Sequence, residues 1–169
     1  MKKKILLMLL LATSITTSAQ DFRVDGRLQP LLDEFFVICK SYDIDYHDKL
    51  FKLQSIDIVS NLTISKEGST LGMLRRDDHG DVVAIDISWM AQLDPEILKV
   101  VAFHEFSHYF LEYSTHVCDD CGHIMSVVNS SYFDIIRDWD NQVKILFEES
   151  PALKVKYGSA VVAHPIKRS

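Results

Sequence analysis

The stretch DPEILKVVAFHEFSHYFLE, Asp94 to Glu112, decides the fold. It opens like a helix: an acid in the N-cap place, proline at the first helical position and a second acid in the first turn. It continues without glycine or proline to Glu112 or Tyr113, and within it stands His104-Glu105-Phe106-Ser107-His108. Histidines four apart on a helix lie on nearly one face, one turn up. Two imidazoles so placed can reach one Zn²⁺, and Glu105, beside the first of them, is placed to act as general base on a water that the metal activates. The alternative is a partly solvated helix face that binds no metal.

Outward from this helix, the preceding segment Asp81 to Trp89 (DVVAIDISW) is the clearest strand in the chain. Asp77-Asp78-His79-Gly80 signals a turn, so a strand over Thr70 to Arg75 would pair with it as a hairpin. Gln54 to Ile64 alternates and is rich in β-branched residues, which predicts a further strand. Leu28 to Tyr42 carries apolar residues at helical spacing, with Pro30 in the first turn and an end near Ser41, whereas Asp43 to Lys52 is polar and ambiguous. A second long helix is expected over Tyr132 to Glu149, ended by Pro151, and the tail from Ala152 signals little. The fold class expected is α+β: a small sheet with an active-site helix and two further helices.

The chain has 169 residues, and its start reads as a secretory signal peptide over 1–19. Lys2, Lys3 and Lys4 precede an apolar run from Ile5 to Ala12, then a small and hydroxylic stretch with Thr17 and Ala19 as the −3 and −1 residues. The run is too short for a permanent membrane anchor, and no cysteine marks a lipid-attachment point. A mature chain from Gln20 would form one domain over 20–169, exported to the periplasm or secreted. Loss of three lysines takes the formal charge from −6 to −9. That acidity argues against nucleic acid and anionic membrane as partners. No linker, repeat or low-complexity block interrupts the domain. Asn61-Leu62-Thr63 and Asn129-Ser130-Ser131 match glycosylation sequons, uninformative behind a bacterial-style signal.

A catalytic zinc needs a third protein ligand and an open fourth position. Glu112, His116, Cys118, Cys121 and His123 are the downstream candidates. On a continued helix His116 would lie about 18 Å along the axis from His104, so it can ligate only if the chain turns back after Glu112. His116 is favoured on the pattern of the motif, with His123 as the alternative. Cys118 and Cys121 form a CxxC with three readings: a disulfide suited to an oxidising compartment, a second structural zinc shared with His116 or His123, or a redox pair. Cys39, in an apolar helical stretch, reads as a core residue.

The run VVAFHEFSHYFLEYSTH followed by CGHIM resembles the metzincin zinc peptidases, especially matrixins and archaemetzincins, over Val82 to Met125. It is also similar to small exported bacterial proteins of metallopeptidase type, whose pattern Asp86 and Trp89 fit. The resemblance implies a zincin-like domain that hydrolyses a peptide or protein substrate with one catalytic zinc. His104, His108 and His116 match the ligands, Glu105 the general base and Met125 the methionine that floors the metal. It also implies that the strand before the zinc helix is a sheet edge pairing with extended substrate. Two departures stand out: the family's helix-turning glycine is Leu111 here, and the third histidine comes two residues late. They leave room for a zinc-stabilised, non-catalytic binding protein as the competing reading. Neither substrate preference nor oligomeric state is legible.

Overall fold

The computed structural model describes residues 22–162, apart from 61, 63, 66, 67 and 128–131. The expected signal peptide and both sequons therefore involve positions outside the described residues. The elements run in chain order as β1 (Arg23–Val24), α1 (Gln29–Ser41), α2 (His47–Leu50), β2 (Ser55–Val59), β3 (Ile64–Ser65), β4 (Gly68–Ser69), β5 (Gly72–Arg76), β6 (Val82–Ser88), a 3₁₀ turn (Ala91–Leu93), α3 (Pro95–Phe110), α4 (Tyr132–Arg137), α5 (Trp139–Glu148) and α6 (Pro151–Val162). This is an α+β fold, a four-stranded open sheet with helices against it, as the sequence led us to expect.

Helix α3 starts where its cap predicts. Asp94 stands in extended backbone and its carboxylate accepts from the Glu96 and Ile97 amides at 2.8 and 3.4 Å. Such a cap is worth about 1 kcal/mol. The helix is buried nearly all round: Val100, Ala102, Phe103, Phe106, Ser107 and Phe110 are at or within a few per cent of full burial. A helix apolar on every side belongs inside, which makes α3 the axis of the core. Phe35 of α1 gathers Phe103, Phe106 and Phe147 at ring-centroid separations of 5.3, 5.5 and 5.2 Å, in tilted and edge-on geometries that aromatic quadrupoles favour.

The sheet order is β1-β2-β6-β5, with β1, β2 and β6 parallel and β5 antiparallel to β6. Ile56 pairs with Ile85 and Ile58 with Ile87 in register, and these residues join the core. Alternation then sends Asp57 and Asp86 together to the other face. Arg23 offsets the first at 2.7 Å and Arg75 the second at 2.9 Å. Asp86 is accordingly a buried ion-pair member of the sheet.

Strand β6 is not the sheet edge that the resemblance implies. The β5–β6 hairpin closes through Asp77 and Gly80, the latter at φ 88°, and lays β5 along the free side of β6. The edge beside α3 is therefore β5. The strand expected over 54–64 ends at Val59, and Ile64, the last residue of that range, belongs to the small β3–β4 ladder. The long C-terminal helix is divided at Asp138, which lets Trp139 pack edge-on to Phe103 at 4.7 Å with Lys99 over its ring. Pro151 follows α5 as expected and also opens α6, the position where its missing N–H costs nothing.

Candidate metal centre

His104 and His108 project from the last two turns of α3, and the chain then reverses. Leu111 is the C-cap, and Glu112 follows in the left-handed region at φ 66°. Tyr113 N–H reaches back to the Ser107 carbonyl at 3.3 Å. This reversal brings His116 to the two helical histidines. Its Nε2 lies 3.2 Å from that of His104 and 3.4 Å from that of His108, and the helical pair are 3.1 Å apart.

Those three short separations are not hydrogen bonds throughout. His104 Nδ1 faces the Ile124 carbonyl at 2.7 Å and His108 Nδ1 faces the Tyr113 carbonyl at 2.6 Å. A carbonyl only accepts, so each Nδ1 carries the proton and donates. In the neutral rings Nε2 is then an acceptor, and two acceptors face each other 3.1 Å apart with no proton between them. Such a cluster asks for a cation. Three nitrogens at corners of a tetrahedron around zinc, at the usual bond length, would lie about 3.3 Å from one another. The observed triangle matches, and the carbonyls supply the outer hydrogen bonds that fix ligand tautomers. The three histidines can thus hold a metal ion.

Electrostatics agree with a ligand role. Burial, with the neighbouring histidines adding to it, pushes His104 down to about 4 from 6.5. It is therefore neutral at physiological pH and needs no proton removed before it ligates. His116, more exposed, is also lowered, first by partial burial and then by His108. Glu105 shares the cavity, which is about 430 Å³ and is walled on its apolar side by Leu71, Met73, Val101, Val127 and Tyr132. Glu105 is 6% exposed, and burial pushes its carboxyl up to about 8. A dication nearby would draw it back toward the carboxylate.

Glu105 fits there because β5 begins with a glycine. A Cβ on Gly72 would meet Glu105 Cγ and Oε1 at 2.4 Å and Cδ at 2.5 Å. The sequence reading did not single out Gly72, although glycine within a β-rich run marks close approach of another group. The Tyr113 and Ile124 carbonyls were also missed, since every residue type carries a carbonyl.

His123 does not join the cluster among the described residues. Its Nδ1 accepts from the Met125 amide at 2.9 Å, and the ring is buried. Met125 is fully buried, and its carbonyl accepts from Val117, the residue after His116, at 3.0 Å. The second zinc considered for Cys118 and Cys121 is overturned. These two are joined as a disulfide with Cα atoms 6.1 Å apart, so neither presents a thiolate to a metal. The disulfide closes the loop that leaves His116 and returns to Ile124, both of which the centre uses. Cys39 is free and buried, as expected. No helix among the described residues is long and apolar enough to cross a membrane. Comparison with protein-family models, with curated proteins and with solved structures finds no match to this chain.

Proposed function

We propose that this chain is an exported zinc-dependent peptidase of zincin-like type. The observation that carries the reading is the convergence of three imidazole Nε2 atoms, two of them held as acceptors by backbone carbonyls, beside the Glu105 carboxyl. His104, His108 and His116 would hold the ion. Zinc so held supplies Lewis acidity, lowering the pKa of water and polarising a carbonyl oxygen.

The protein's own part is positional. Glu105 takes a proton from the attacking water and later gives it to the departing amine, a general base turned general acid. Its low exposure keeps bulk water from competing for that proton. Strand β5 is the outer strand along the cavity, so its outward backbone groups suit an extended peptide, while Leu71, Met73 and Val127 suit apolar side chains. The disulfide accords with an oxidising compartment and the acidic balance with a partner other than nucleic acid.

One observation favours a zinc-stabilised, non-catalytic protein: Glu105 is packed away from solvent against Gly72. The Glu105→Gln variant separates the two readings. Under the peptidase reading it keeps its zinc and loses hydrolysis of a mixed-sequence fluorogenic peptide library. Wild-type protein that carries one zinc and cleaves nothing in that library would leave the binding protein standing.

A further inference from the structure

A helix that must reverse at once needs a residue in the left-handed conformation, and glycine takes it without steric cost. Here that place belongs to Glu112, at φ 66°, where a side chain crowds the following carbonyl. The residue before it, Leu111, is fully buried. The His116 approach therefore runs through a backbone conformation that this sequence does not favour by itself.

Lys49 supplies what is missing. Its Nζ lies 3.2 Å from the Tyr109 carbonyl, 3.2 Å from the Phe110 carbonyl and 2.8 Å from Glu112 Oε1. One ammonium thus serves two carbonyls that the helix end leaves open, meets the negative pole of the helix, and holds the carboxylate of the left-handed residue. Lys49 is itself held in place, because Tyr109 Oη donates to its carbonyl at 2.8 Å. The side chain of Lys49 is 25% exposed and that of Glu112 49%, so the ammonium is sheltered where it meets the two carbonyls while the carboxylate stays half in solvent.

We propose that Lys49 and Glu112 form a clamp that takes the place of a turn glycine, and that retention of the metal depends on it; the dependence on metal rests on the histidine-site reading above. Lys49 is a positioning residue. It touches no ligand, yet the reversal it holds governs two of them. Tyr113, next after Glu112, gives the carbonyl that orients His108, and His116 follows three residues later.

The test compares wild type with Lys49→Met, Glu112→Gly and the double variant. Zinc affinity is read by competition with a chromophoric chelator, and amide exchange at Tyr113 by NMR on metal-free protein. Lys49→Met should bind zinc about tenfold or more weakly, as the competent turn becomes a minority state. Tyr113 exchange should accelerate by a similar factor. Glu112→Gly alone should stay within roughly twofold of wild type, and adding it to Lys49→Met should restore most of both losses, because glycine needs no clamp. Wild-type affinity and exchange in Lys49→Met would overturn the proposal, as would a double variant no better than Lys49→Met. Wild-type protein that binds no zinc would sink the histidine-site reading and with it the claimed metal dependence. The exchange comparison would still decide whether the clamp holds the turn.

Discussion

Gly72→Ala is the smallest change that should disturb the centre without touching a ligand. The backbone at Gly72 is not left-handed, so alanine is barred by space alone. Its Cβ would sit 2.4 Å from Glu105 Cγ, where carbon atoms are comfortable only from about 3.5 Å. The shortfall is about 1 Å. The nearest three atoms all belong to the outer part of Glu105, which can escape only by leaving its packed position for the cavity it borders. Such overpacking costs about 1–3 kcal/mol, against a gain of about 0.4–1 kcal/mol from a less flexible unfolded chain. In a Glu105→Ala background Cγ, Cδ and Oε1 are gone, so only the gain remains. Urea denaturation of the four metal-free proteins, with chelator and at one pH, should then show Gly72→Ala destabilising the first background and neutral or slightly stabilising in the second. Equal destabilisation in both would refute the packing argument, because the clash would then lie with something other than Glu105. Under the peptidase reading the same displacement should cost roughly 100-fold in turnover, with zinc retained.

Three other outcomes are expected. In metal-free protein Glu105 sits near 8 instead of 4.5, so the stability its neutral form contributes is full below 4.5 and is lost as pH rises through 8. His104, near 4 instead of 6.5, acts oppositely: its contribution is present above 6.5 and is lost as pH falls through 4. Above 6.5 only the Glu105 effect remains of these two, so stability should fall by about 2 kcal/mol between pH 6.5 and 8, and Glu105→Gln should remove that fall in urea titrations. Elemental analysis should find that His116→Ala weakens zinc binding beyond the roughly 10–100-fold expected for loss of a supporting hydrogen bond, whereas His123→Ala keeps wild-type stoichiometry. Thiol titration of aerobically purified, urea-unfolded protein should count one reactive cysteine before reduction and three after; three before reduction would contradict the disulfide.

The sequence was most legible where side-chain chemistry and spacing suffice. Asp94-Pro95 announced α3, the four-residue histidine spacing announced a helical pair able to share a metal ion, and the β-branched run before α3 announced β6. Alternation cannot say which side of a strand stays unpaired; the edge position of β6 came from the resemblance alone, and β6 instead lies between β2 and β5. Nor does periodicity mark the end of a short strand: β2 stops at Val59, while the residues after it keep a β-like composition. The division at Asp138 accompanies the packing of Trp139 on Phe103, a contact no local pattern announces.

What escaped the sequence at the centre itself has a common cause. The acceptors that set the tautomers of His104 and His108 are peptide carbonyls, and they are selected by where the chain passes, not by which residue passes there. Ile124 brings its carbonyl because the loop from His116 is closed by a disulfide and pinned through Val117 to Met125. Tyr113 brings its own because Glu112 adopts a conformation that Lys49, sixty-three positions earlier, helps to hold. A motif fixes which atoms can bind the ion, whereas the turn, the disulfide loop and the clamp fix whether their lone pairs converge. A missing glycine at Leu111 therefore does not argue against the site, since the reversal can be stabilised through space as well as by a permissive residue.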